Sequence, residues 1–149
     1  MDQPTSELAL QALEPLIGEW TAEAAWPSGE RWPGGGHSSF AWHPSKAYVV
    51  WTSTVELPEA PASTSIIGCD AANATYTMLY ADERGVSRIY EMTIDEQGWT
   101  LARTGEPFAQ RFVATFRDGG DTMDARWEAA EDSETFALDF TIVYRRAKA

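Results

Sequence analysis

The sequence predicts an all-β protein, an antiparallel up-and-down β-barrel of about ten strands with a short N-terminal helix. Three observations predict it. Ten short segments rich in alternating apolar and polar residues follow one another, separated by turn-forming residues. Only one segment, at the start of the chain, has a helical pattern. A long antiparallel meander left open would expose two strand edges, so a closed barrel is favoured over a sandwich.

The helix candidate is Glu7–Leu13, preceded by Pro4-Thr5-Ser6. Thr5 or Ser6 can accept from the first free amides, and Glu7 suits the positive end of the helix. Pro15 and Gly18 mark its end. The predicted strands are Glu19–Trp26, Gly36–Trp42, Ala47–Glu56, Ser63–Cys69, Thr75–Ala81, Val86–Ile94, Trp99–Thr104, Gln110–Arg117, Thr122–Ala129 and Thr135–Arg146. Asp70–Asn73, Asp82–Gly85, Glu96–Gly98 and Asp118–Gly120 have hairpin-turn chemistry. The connectors Pro27–Gly35 and Leu57–Ala62 are longer and rich in Pro or Gly. With no repeat and no linker, residues 1–149 read as one domain.

Side chains alternate between the two faces of a strand, so the bulky apolar sets belong inside. They include Trp20, Ala22, Ala24 and Trp26; Tyr76, Met78 and Tyr80; and Arg88, Tyr90, Met92 and Ile94. Later strands add Gln110, Phe112, Ala114 and Phe116; Met123, Ala125 and Trp127; and Phe136, Leu138, Phe140, Ile142 and Tyr144. The second, third and fourth strands are ambiguous: His37 and His43 share a face with Ser39 and Ala41, and Phe40 shares the other with Trp42.

The chain carries seven Trp, five Tyr and six Phe, and a net charge of −12. The acidic balance argues against a nucleic-acid partner and against docking on an anionic membrane. No apolar run reaches the ~20 residues of a membrane span. The first residues lack the basic, apolar pattern of a secretory signal, and Cys69 is the lone cysteine. A cytoplasmic location without disulfides is therefore expected.

Leu16-Ile17-Gly18-Glu19-Trp20, a short helix running into Gly-x-Trp at the first strand, resembles the opening of lipocalins and the wider calycin superfamily. The layout is similar to small bacterial lipocalin-like domains of unknown function and, more distantly, to nitrobindins. The resemblance implies that Gly18 and Trp20 are structural. It implies that an Arg from near the chain's end, Arg145 or Arg146, packs on the Trp20 ring, a contact contributing ~0.5–2 kcal/mol. It also implies a cavity for small apolar ligands. Nitrobindin-like relatives hold haem through a late His. No His follows His43 here, which speaks against that haem site.

Tyr76, Tyr80, Tyr90, Phe112 and Trp127 are candidate ligand-binding residues that, with Tyr144, could line a cavity, because aromatic walls with a few hydroxyls suit a planar or partly polar ligand. They could equally fill a core, although ten strands favour a cavity. Arg88 either anchors a ligand anion or pairs with an internal acid such as Asp82 or Glu106. His37, after Gly34-Gly35-Gly36 at a barrel rim, is a further candidate, as ligand contact or general base. His37 and His43 lie about 20 Å apart on an extended strand, at ~3.3 Å per residue, so no shared metal is expected. Cys69 reads as a small buried apolar residue. No cofactor is predicted.

The expected function is binding of a small, largely apolar molecule, anionic or aromatic, in the barrel. The alternative is a small barrel enzyme of cyclase or isomerase type, with Tyr90, Arg88 or His37 as polar actors. The sequence is also compatible with a homodimer through one barrel face.

Overall fold

In a computed structural model the described residues are 6–105, 107–132 and 134–147. Ten strands form one closed antiparallel barrel. They are β1 (Gly18–Ala25), β2 (Gly36–Trp42), β3 (Val49–Val55), β4 (Ser63–Asp70), β5 (Thr75–Asp82), β6 (Ser87–Ile94), β7 (Gly98–Arg103), β8 (Ala109–Arg117), β9 (Thr122–Ala130) and β10 (Ala137–Arg146). Each pairs with its neighbours in sequence, and β10 closes on β1, with Tyr144 opposite Ala22. Closure pairs both edges of the meander, the reason for which a barrel was expected.

Up-and-down order puts alternate connections at opposite ends. One end carries the β1–β2, β3–β4, β5–β6, β7–β8 and β9–β10 loops. The other is closed by helix α1 (Glu7–Gln11) and a 3-10 turn, Glu14–Leu16. Pro15 lies in that turn, where its missing amide costs nothing. The helix is shorter than expected, and Ser6 occupies the N-cap without a side-chain hydrogen bond. Thr5 lies outside the described residues. Tertiary contacts hold the segment: Leu13 and Leu16 are fully buried, and the Tyr76 hydroxyl donates to the Ala9 carbonyl at 2.7 Å.

The closed end explains the Gly-x-Trp pattern. Trp20 is fully buried, and its Nε1 donates to the Leu16 carbonyl at 2.9 Å. Arg146 lies over the indole, 4.2 Å from the ring centroid. It donates to the Ile17, Pro15 and Gly120 carbonyls. Gly18 has φ +136°, and a Cβ there would meet the Arg146 guanidinium. The closing arginine is therefore Arg146. Arg145 points outward to Glu23, at 3.4 Å, because adjacent strand residues face opposite sides.

Above Trp20 the floor of the barrel is aromatic. Trp99 meets Phe112 (4.7 Å between centroids) and Phe40 (6.0 Å), and Phe40 stacks on Trp51 (4.7 Å). Each buried indole removes about 200 Å² from water, up to about 5 kcal/mol at ~25 cal/mol per Å².

Alternation leaves the faces of β2, β3 and β4 open, and elsewhere the inward sets it gives match the barrel except at the start of β10. The register slips between Leu138 and Phe140, a β-bulge that inserts one residue and reverses the phase. Leu138 lies opposite the outward-facing Glu128 and is exposed. Phe136 lies beneath the Arg111 guanidinium instead of inside the barrel. Cys69 is only partly buried. Among the described residues, no helix is long and apolar enough to cross a membrane.

Candidate functional site

A cavity of about 420 Å³ opens at the loop-bearing end. A row of paired inward residues tracks its wall from the closed end to the open end: Phe40, Trp51, Ser65, Tyr80 and Arg88, on β2 to β6. Trp51, Met78, Tyr90, Gln110, Trp127 and Tyr144 are among the residues lining the cavity. At the mouth, Trp32 lies between Trp26 and Phe140, both with centroids at 4.8 Å. Gly34 crosses close to the Glu56 carbonyl, where a Cβ would collide with that backbone, so the Gly-rich rim brings the β1–β2 loop against β3.

Two polar groups occupy the wall. In the first, Gln110 Oε1 accepts from the Tyr90 hydroxyl at 2.9 Å and from Arg88 Nη1 at 3.3 Å. The Arg88 guanidinium lies 5.5 Å from the Phe108 ring centroid. Burial raises the Tyr90 hydroxyl above its ordinary range, so it stays a proton donor at neutral pH. In the second group, the Tyr80 hydroxyl donates to Asp82 Oδ2 at 2.7 Å, and Arg84 approaches the same oxygen at 2.6 Å. The Arg84 guanidinium outweighs burial and holds the Asp82 carboxyl far below the usual range. Burial and then Asp82 push Tyr80 up to about 12.

This arrangement narrows the alternatives for Arg88. Asp82 is committed to Arg84 and Tyr80, and Glu106 lies outside the described residues. Among the described residues, no carboxylate lies within ion-pair distance of Arg88. Its remaining donors are available to an acceptor in the cavity.

Of the sequence-predicted residues, Tyr80, Arg88, Tyr90 and Trp127 come together on the cavity wall. Phe112 is fully buried in the floor, against Trp99 and Trp127. Tyr76 is occupied in holding the helix. His37 lies on the outer face, with Nε2 3.2 Å from Glu19 Oε2. Ser38, its neighbour, is buried and accepts from Trp51 Nε1 at 3.1 Å, which fixes the phase of β2. Gln110, Ser53 and Ser65 were not singled out as site residues. Gln110 stood in an inward set, but its cross-barrel contact with β6 leaves no mark in the sequence. Among the described residues, no group of three His, Cys, Asp or Glu side chains is placed to hold a metal ion.

No protein-family model matches the chain, and no curated protein matches it. Solved structures do. Rv2717c from M. tuberculosis superposes with a TM-score of 0.63 at 15% identity, covering 99% of this chain and 100% of that one. The S-type phycobiliprotein lyase CPES from Guillardia theta gives 0.57 at 12% identity, covering 98% and 99%. At such identities the likeness concerns the fold alone: the chain shares the overall fold of these two structures, here a closed ten-stranded antiparallel barrel.

Proposed function

We propose that the protein binds a small, largely apolar molecule in the barrel, one with an aromatic or alicyclic body and an anionic or hydrogen-bond-accepting end. The observation that carries this reading is Arg88, a cation on the wall of a 420 Å³ aromatic cavity with no carboxylate within ion-pair distance among the described residues. Arg88 is partly buried and gives one hydrogen bond among the described residues, to Gln110, so a ligand carboxylate would meet its remaining donors with two charge-assisted acceptors. Trp51, Tyr90 and Trp127 would sandwich the apolar body. A phycobiliprotein lyase among the structures of like fold supports a role on small molecules.

The test is quenching of tryptophan fluorescence with a panel of fatty acids, aromatic carboxylates and polyketide-like compounds, alongside their uncharged counterparts. Saturable binding that prefers the carboxylates is expected. Arg88→Met should abolish that preference, a loss of about 10–100-fold for one charge-assisted contact. Absence of saturable binding across the panel would overturn the reading.

A further inference from the structure

Three tyrosine hydroxyls in or below the barrel have partners: Tyr76 with Ala9, Tyr80 with Asp82 and Tyr90 with Gln110. Tyr144 differs. It is 4% exposed and lines the cavity, and its hydroxyl has no hydrogen-bond partner among the described residues. Burial pushes that hydroxyl above its ordinary range, and no neighbouring group contributes. Ser65 is 2% exposed and also lines the cavity, with no partner for its hydroxyl among the described residues. Strands β4 and β10 lie four places apart one way around the ring and six the other. The two hydroxyls therefore stand on nearly opposite walls.

Depth separates Tyr144 from Arg88. Tyr144 precedes by two residues Arg146, which caps the closed end. Arg88 is the second residue of β6, just inside the open end. The Tyr144 hydroxyl is not sealed away: the buried side-chain polar atom without a partner among the described residues is Trp32 Nε1, so the Tyr144 hydroxyl opens on the cavity and can donate to a ligand there.

We propose that Tyr144 forms an inner polar subsite, so that the ligand is polar at both ends. An oxygen acceptor on its inward end, a carbonyl or hydroxyl, takes the Tyr144 hydroxyl hydrogen. Its outward end is the acidic group at Arg88, and Ser65 meets a polar substituent on the opposite edge. The ligand class is then a hydroxy- or oxo-substituted cyclic carboxylic acid. This inference rests on the proposed binding function and sharpens it.

The experiment is isothermal titration calorimetry of the full chain with 2-naphthoate and 6-hydroxy-2-naphthoate, on the natural protein and on Tyr144→Phe. The hydroxyl should improve affinity about tenfold on the natural protein, the gain expected of one buried hydrogen bond. Tyr144→Phe should bind both compounds equally, as tightly as the natural protein binds 2-naphthoate. Its unfolding temperature should not fall, because the substitution keeps the ring and removes an unpartnered group. Binding of both compounds with no hydroxyl advantage, or an advantage that persists in Tyr144→Phe, overturns the inner subsite alone. If 2-naphthoate binds the natural protein and 6-hydroxy-2-naphthoate does not, the inner subsite alone is overturned; if neither binds, both this inference and the parent reading for cyclic carboxylates are overturned.

Discussion

Replacing Arg146 by Met should unlatch the closed end of the barrel. The guanidinium donates to three backbone carbonyls, at 2.7 Å (Ile17), 3.1 Å (Pro15) and 3.3 Å (Gly120), and reaches Asp121 Oδ1 at 3.2 Å. It also covers the Trp20 ring at 4.2 Å. A hydrogen bond to a charged group contributes ~1.5–3 kcal/mol, and the ring contact ~0.5–2. These contacts share one side chain that is 31% exposed, so they do not add fully. A loss of about 3 kcal/mol is expected, a fall in Tm of roughly 6–12 °C for a chain of this length. Arg145→Met is the control: that side chain is 52% exposed, pairs with Glu23 at 3.4 Å and acts at longer range on Asp124, and such exposed pairs contribute ~0–1 kcal/mol. Urea unfolding followed by tryptophan fluorescence measures both. Equal destabilisation by the two variants, or under 1 kcal/mol for Arg146→Met, would refute the latch.

Two further predictions concern the wall and the sheet. Asp82 has no exposed side-chain surface and a carboxyl held low chiefly by Arg84. A depressed folded value means that its stabilising contribution is complete above the unfolded carboxyl range near pH 4 and is lost as pH falls toward the folded value. Asp82→Asn should therefore cost about 2 kcal/mol at pH 7, with the gap to the natural protein narrowing below about pH 4. A gap unchanged from pH 7 to 3 in urea unfolding would count against it. At Gly98 an added Cβ would collide with the backbone carbonyl of Ala114, forcing β7 from β8. Gly98→Ala should cost about 1–3 kcal/mol, whereas Gly68→Ala, with open space around the position, should change stability by under about 0.5 kcal/mol; equal values would show that the β7–β8 contact is not limiting.

The candidate site was legible where strands alternate cleanly. Tyr80, Arg88, Tyr90 and Trp127 each fall in an inward set that a period of two reveals, and all line the cavity. Sequence leaves the face of His37 open, because Ala41 shares its face while Phe40 and Trp42 mark the other; the buried Ser38–Trp51 hydrogen bond turns Ser38 inward and His37 outward. Leu138 and Phe136 were read inward because a bulge leaves no compositional trace. Tyr76 and Phe112 were placed on the correct face. Depth along the barrel, which alternation does not encode, put them below the cavity.

Sequence alone determined the number and order of the strands, because alternation and turn residues are local properties of the chain. It also indicated the short helix, and the resemblance carried by Gly18-x-Trp20 implied the plug; the need for glycine at position 18 is set by Arg146, remote in sequence. The tertiary structure decided which arginine closes the barrel, which residues reach the cavity and which polar groups there have partners. Those outcomes depend on contacts between strands remote in sequence: Arg88 meets Gln110 across the barrel, Asp82 is claimed by Arg84 and Tyr80, and Tyr144 faces the cavity with its hydroxyl unpartnered among the described residues.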